Sequence, residues 1–216
     1  MEALIPAAGF GRRLGKGPKP LVRLGGRPLI AHVIEGLERV GVGDILTTVG
    51  HRGGEVKEFL RDFKVEIIEN PDYAKGSLYS LYHARDRLDR GFFLVPCDTI
   101  IEPRGLRKLA EEAEGIFTLG GTRKKGSTPL SVKEGFLAGV GDGDLYSTGV
   151  GILEPKIFDL VEELLPERPS LNDLPKGSLE KGEKVRVVDI SRYRWHDIDT
   201  REDLDEAERG LAEART

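Results

Sequence analysis

Apolar positions recur along the chain in two alternating rhythms. Ala3 to Ile5 is a short apolar run that predicts a first strand. Pro28 to Val40 then sets Leu29, Ile30, Val33, Ile34, Leu37 and Val40 at helical spacing. Pro28 suits its first turn and Gly41 its stop. Ile45 to Val49 reads as a buried strand, Glu55 to Phe63 as a helix and Val65 to Ile68 as a strand. Leu78 to Leu88 is helical again, and Phe92 to Pro96 is a strand running into Cys97, Asp98 and Thr99. Strands alternating with helices predict a parallel sheet covered on both faces.

The second half is less regular. Gly105 to Ala113 predicts a helix and Ile116 to Leu119 a strand. Leu130 to Val140 alternates around Lys133, Glu134 and Gly135, the pattern of a hairpin. Tyr146 to Leu153 is a strand rich in small residues, and Pro155 to Leu165 a helix opened by its proline. Arg168 to Gly182 matches neither rhythm. Val185 to Ile190 is a final strand and Thr200 to Ala214 a closing helix. The expectation is an α/β fold: a mainly parallel, Rossmann-like open sheet flanked by helices, with a small antiparallel insertion in the second half. No repeat or long linker divides it, so residues 1–216 read as one domain.

Composition narrows the function classes. The formal charge of −4 argues against a nucleic-acid binder, which is more often basic along a face. The lone Cys97 excludes an intramolecular disulfide and an all-cysteine metal site within one chain. No signal peptide precedes the first strand and no apolar run reaches membrane-spanning length, so a soluble, cytoplasmic protein is expected. Charged residues make up 32% of the chain, glutamine is absent, and the asparagines are Asn70 and Asn172. That depletion of heat-labile side chains predicts a thermophilic source.

Charge is distributed unevenly. Between Ala3 and Ile34 there is no acidic residue, while Arg12, Arg13, Lys16, Lys19, Arg23 and Arg27 supply cations. Gly9, Gly11, Gly15 and Gly17 break the same stretch. Glycines let backbone N–H groups turn inward as an anion nest, and the cations neutralise charge around it. A polyphosphate fits such a loop, where the alternative is a plain basic surface loop. It is not a Walker loop, because Gly17 follows Lys16 in place of Ser or Thr. Leu14 stands where the dinucleotide fingerprint needs its third glycine.

Asp98 falls at the carboxyl end of a predicted strand, where open α/β sheets bind ligands. Beside a phosphate loop it reads as a magnesium ligand, and on its own equally as a turn carboxylate. Asp197 and Asp199 alternate in an extended segment and share a face. They too have a structural reading, since Thr200 with Asp203 forms a capping-box pattern. Ser77 is either a helix cap or part of a site. Ser147, Thr148 and Gly149 either line a polyol pocket or form an ordinary strand edge. Cys97 reads as a buried apolar residue, and His32, His51, His83 and His196 lack zinc-site spacing. Lys124 and Lys125 read as a solvated loop, with closure over phosphate the minor alternative.

Three ordered motifs carry a resemblance. Ala7-Ala8-Gly9-x-Gly11-x-Arg13-Leu14, Pro18-Lys19-Pro20-Leu21 and Gly26-x-Pro28-Leu29-Ile30 are similar to the signature of nucleotidyltransferases that join a nucleotide to a phosphorylated small molecule. Lys75-Gly76, Tyr79-Ser80-Leu81, Asp98, Thr148-Gly149 and Trp195-x-Asp197-x-Asp199-Thr200 extend it over nearly the whole chain. So extended, it resembles the inositol-1-phosphate cytidylyltransferases of heat-loving archaea and bacteria. Bacterial phosphocholine cytidylyltransferases share much of the pattern. Other sugar-1-phosphate nucleotidyltransferases, a non-catalytic nucleotide sensor and a glycosyltransferase are more distant alternatives.

The resemblance implies a nucleotidyltransferase fold and direct transfer, in which the acceptor phosphate attacks the α-phosphorus of CTP and pyrophosphate leaves. It implies nucleotide binding at Ala7, Ala8, Gly9, Gly11, Arg12, Arg13, Lys19, Gly76 and Ser77, with Lys19, Arg13 and Asp98 catalytic. It implies a phosphorylated polyol at Ser147, Thr148 and Gly149, and Mg²⁺ on Asp98 with one or both of Asp197 and Asp199. Many members of that family continue into a membrane-embedded synthase, so such a synthase is an expected downstream partner of a stand-alone or excised domain. A homodimer is a further expectation.

Overall fold

A computed structural model of the chain describes residues 1–11, 13–15, 17–125 and 128–213. Arg12 and Lys16, expected in the phosphate loop, lie outside them. The first half lays down β1 (Glu2–Ala7), the two-residue strands β2 (Arg23–Leu24) and β3 (Arg27–Pro28), α1 (Leu29–Glu38), β4 (Asp44–Val49), α2 (Gly53–Leu60), β5 (Glu66–Glu69), α3 (Leu78–His83) and β6 (Phe92–Leu94). β7 (Thr99–Ile101), α4 (Pro103–Glu111), β8 (Phe117–Thr122), β9 (Pro129–Lys133), β10 (Phe136–Val140) and β11 (Leu145–Leu153) follow. The chain closes through α5 (Ile157–Leu164), α6 (Leu174–Glu180), β12 (Val185–Asp189), β13 (Trp195–Asp197) and α7 (Arg201–Glu213).

Among the described residues the main sheet has nine strands in the order β5-β4-β1-β6-β11-β8-β12-β10-β9. β5, β4, β1 and β6 run parallel, joined by helical crossovers as the alternation predicts. Beyond β6 the sheet is mixed, which corrects the mainly parallel expectation. β11 follows a hairpin with no crossover helix, so it enters antiparallel to both β6 and β8. β12 arrives after α5 and α6 and lies parallel to β8. The expected hairpin forms as β9–β10 and joins this same sheet through β12 and β11. Its turn holds Glu134 at φ 53° and Gly135 at φ 80°, the two positive φ values of a tight hairpin turn.

The two sides of β1 explain why all of its residues but Pro6 are buried. Ala3, Ile5 and Ala7 pack with α1 and α4 in one apolar layer. Leu4 points the other way, into the layer holding α3, α5 and α6. α1 buries Leu29, Ile30, Val33, Ile34 and Leu37, as its spacing predicts, and Gly41 at φ 86° follows its end. The unplaced stretch is a 3₁₀ turn at Leu171–Asp173 followed by α6. Ser170 and Asp173 close it as a capping box, satisfying backbone donors at the turn. Among the described residues no helix is long and apolar enough to cross a membrane.

Candidate active site

The carboxyl ends of β1, β4 and β6 open onto one cleft. Ala7, buried, is the last residue of β1 and pairs with Val49. The chain then turns, held where the His51 backbone N–H donates to the Ala8 carbonyl at 3.0 Å. Gly11 sits at φ 60°, and a Cβ there would lie 2.6 Å from Lys19 Cβ. Glycine is what allows the loop to fold back onto Lys19. Lys19 opens a short 3₁₀ turn between Pro18 and Val22 and reaches into the cleft, its side chain 13% exposed.

Asp98 arrives from the other side. Val95 N–H donates to Leu4 O and Cys97 N–H to Pro6 O, so the segment after β6 stays beside β1 until it turns. β7 then pairs antiparallel with β13 as a separate two-stranded ribbon, Thr99 opposite Asp197. Ile198 N–H donates to the Asp98 carbonyl at 3.1 Å. The ribbon therefore delivers Asp98, Asp197 and Asp199 to one place, although about a hundred positions separate the first from the others in the chain.

Lys19 binds two of the three acids. Its ammonium donates to Asp98 and, at 2.5 Å, to Asp199. Burial works against its charge, but the Asp98 charge and the hydrogen bonds it donates to both carboxylates outweigh that and hold its pKa above the ordinary lysine range. Arg13 adds a 2.9 Å contact to Asp199 from the solvent side. Burial alone would raise Asp199; hydrogen bonding to Lys19 and the charges of Lys19 and Arg13 keep it low. Among the described residues the Asp197 carboxylate has no ion-pair or hydrogen-bond partner, and the Lys19 charge offsets its surroundings only in part. Burial, then the charges of Asp98 and Asp199, push it up to about 7.

Two cavities meet at Asp98, which with Ser77, Pro96 and Leu171 lines both. One, of about 380 Å³, is lined by Ala8, Gly9, Lys19, Gly76, Ser77 and Asp98, together with Phe10, Tyr73, Ser80 and Cys97. Phe10 packs on Tyr73 and on His51, with centroids 5.4 and 5.0 Å apart. Asn70 shapes the far wall: its Oδ1 accepts from Asp72 N–H, so its Nδ2 donates to Ser80 Oγ at 3.2 Å. Burial pushes the Cys97 thiol well up, leaving it a neutral wall residue.

The other cavity, of about 200 Å³, is lined by Asp98, Asp197 and Asp199 on one side and by Thr128, Ser147, Gly149 and Asn172 on others. Gly149, at φ 74°, lies where the β11–β8 register shifts, and Ser147 Oγ accepts its N–H. Thr148 is turned inward. Its hydroxyl donates to Gly120 O, and its carbonyl accepts from Trp195 Nε1, tying β11 to the acid ribbon. The segment left unplaced by sequence walls both cavities. Leu78 N–H donates to Pro169 O, and Leu171 N–H to Ser77 Oγ, so Ser77 serves this strap and does not cap α3.

Sequence reasoning missed Phe10, Tyr73, Thr128 and Asn172 as lining residues. Only Asn172 carried a signal, within the Ser170–Asp173 capping pattern. Lys124 and Lys125 edge a third cavity beside Arg13, Asp197 and Asp199, and Lys124 pairs with Glu206 at 2.7 Å.

An anion-suited loop, a strand-end acid and a late acid pair across two adjoining cavities define a nucleotidyltransferase-type α/β domain. A solved structure of an inositol-1-phosphate CTP transferase from T. maritima has this fold, with a TM-score of 0.84 over 97% of this chain and 96% of that one, at 24% identity. Residues 3–137 match the MobA-like NTP transferase domain, and the chain belongs to that family. It is also 34% identical, over 97% of its length, to a bifunctional IPC transferase and DIPP synthase of Aquifex aeolicus, and 30% identical, over 99%, to one of Archaeoglobus fulgidus. The matches span 51% and 44% of those proteins, so this chain covers about half the length of the curated relatives it matches.

Proposed function

We propose that the chain is a cytidylyltransferase that joins CTP to inositol-1-phosphate, giving CDP-inositol and pyrophosphate. The observation that carries this reading is the Lys19 ammonium bound to Asp98 and Asp199 where the two cavities adjoin. The larger cavity takes CTP, its triphosphate toward Lys19 and Arg13 and its base toward Gly76, Ser77 and Tyr73. The smaller takes the acceptor. Its hydroxyl and amide groups suit a polyol, and among the described residues Phe117 is its one aromatic wall residue, too little for an ammonium cage. That favours a phosphorylated polyol over phosphocholine.

An oxygen of the acceptor phosphate attacks the α-phosphorus of CTP, and the bond to the bridging β-phosphate oxygen breaks. Pyrophosphate leaves with the electron pair, and no covalent enzyme intermediate forms. The chain supplies position and preorganised charge. Lys19 neutralises the growing charge between the cavities and keeps Asp98 and Asp199 from repelling each other.

The acids fit a magnesium ion. Two of the three carboxylates bind one ammonium, and among the described residues Asp197 has no ion-pair partner. Among the described residues no three His, Cys, Asp or Glu side chains form a self-sufficient metal cluster. Mg²⁺ does not require one, since it is held by one or two carboxylates with phosphate oxygens and water. Asp98 and Asp197 would hold it, because Asp199 is held by two cations, Lys19 and Arg13, whereas Asp98 is held by Lys19 alone and Asp197 by neither. Bound there, the ion would supply Lewis-acid stabilisation of phosphate charge.

The test is pyrophosphate release from CTP at elevated temperature, with and without Mg²⁺, comparing inositol-1-phosphate, phosphocholine and glucose-1-phosphate. Magnesium-dependent release with inositol-1-phosphate alone is expected. Release only with another acceptor overturns the pocket assignment while keeping the mechanism. CTP binding without release from any acceptor favours the sensor.

A further inference from the structure

A cavity of about 430 Å³ lies outside the site. It shares one wall with it, the β7–β13 ribbon. Along a strand successive side chains face opposite ways, and Ile100 is paired with His196 where Thr99 is paired with Asp197. Thr99 and Asp197 line the acceptor cavity, whereas Ile100 and His196 line this one. The floor of the outer cavity is thus the back of the strands that hold the acids.

Its lining mixes charged and apolar groups. Arg27, Arg39 and Arg194 face Glu35 and Glu102 across it. Glu35 is clamped by both Arg27 and Arg39, one carboxylate between two guanidinium groups. Glu102 accepts from Arg104 and from the Arg194 backbone N–H. The Arg194 guanidinium has no ion-pair or hydrogen-bond partner among the described residues. Three cations stand against two carboxylates that are already engaged. An unengaged guanidinium fork of this kind matches phosphate oxygens in geometry and charge. Ile100 and Leu211 offer apolar surface for the organic part of a ligand.

We propose that this cavity is a second ligand site, taking a phosphate ester of about nucleotide size through Arg194. Its occupancy acts on the acids through the β7–β13 ribbon. The binding claim stands on this cavity alone; the effect on turnover rests on the cytidylyltransferase reading.

The experiment is a ¹H–¹⁵N NMR titration of the whole chain with AMP and with inorganic phosphate, followed by rate measurements with AMP at saturating substrates. AMP is expected to shift the amides of Gly36, Ile101 and Gly210 with their own saturation curve, separate from Gly9 and Gly11 at the nucleotide loop. The Asp98 and Asp197 amides follow the cavity curve. Turnover changes about fivefold or more, the range of ordinary site coupling. Arg194→Ala abolishes the cavity curve and brings the rate with AMP back to the rate without it, while Arg194→Lys keeps part of both. Shifts confined to Gly9 and Gly11, or cavity shifts unchanged in Arg194→Ala, overturn the site. Cavity shifts with fixed Asp98 and Asp197 amides overturn the coupling. A chain that binds AMP in the cavity yet turns over none of the acceptors sustains this site and refutes the catalytic reading instead.

Discussion

A single lysine decides how three carboxylates coexist. Lys19 and Asp98 are 13% and 16% exposed, so their pairing is shielded from solvent and salt far more than a surface bridge. Lys19→Ala is expected to lower turnover at least ~100-fold, the usual loss for one preorganised electrostatic group. Pyrophosphate release under saturating substrates checks this, and near-wild-type turnover would remove Lys19 from the mechanism. Asp197 makes a prediction about pH. Its folded pKa, about 7, lies above its ordinary value of 3.8, first through burial and then through Asp98 and Asp199. Between those values the folded state holds a proton that the unfolded chain has released, so stability falls as pH rises and levels off above about 7. In EDTA, Asp197→Asn should become progressively more stable than wild type from about pH 4 to pH 7. Parallel urea-denaturation profiles of the two proteins would show Asp197 to be an unperturbed acid. Lys19 was legible as a cation of the glycine-rich loop, Asp98 as an acid at a strand end, and Asp197 and Asp199 as acids sharing a face of an extended segment. Their mutual contacts were not, because a hydrogen bond between Lys19 and Asp199 spans 180 positions and leaves no local pattern.

At the scale of elements, what the hydrophobic rhythm predicted was whatever a local period can encode. α1 and the parallel strands each bury a face or a run that two or three turns of chain make visible. The β7–β13 ribbon was invisible for the opposite reason. Each strand is three residues long, too short for alternation to register, and the pairing is set by tertiary contact. The 168–182 segment escaped because its order comes from a capping box and from the backbone of the loop before α3, not from a stripe. Gly76 is the hinge of that contact. It sits at φ 152°, and a Cβ there would lie 2.2 Å from Pro169 O, against backbone that cannot swing away. Gly76→Ala should destabilise the protein by ~1–3 kcal/mol through backbone strain and a displaced strap. It should also raise KM for both substrates, since Leu171 lines both cavities. A melting curve with paired KM measurements tests it. A stable variant with an altered KM for CTP alone would mean that the strap does not shape the acceptor side.

For the whole molecule, the mixed sheet has a chemical consequence. Its parallel half ends in the loop and acid suited to a nucleotide. β11, entering antiparallel beside β6, carries Ser147 and Gly149 to the opposite wall of the same acids. On the proposed reading two substrates so placed share one set of charges, and among the described residues neither cavity presents an activated nucleophile. The lone thiol, Cys97, is buried and pushed well above its ordinary pKa, far from the thiolate that covalent catalysis needs. The direct transfer proposed for this chain therefore requires both substrates together. Double-reciprocal plots of rate against CTP at several acceptor concentrations should intersect, and CTP alone should release no pyrophosphate in the first turnover. Parallel lines, with a burst of pyrophosphate equal to the enzyme concentration in the absence of acceptor, would mean that the chain itself is cytidylylated. The nucleophile would then have to be sought among the carboxylates here assigned to charge and metal.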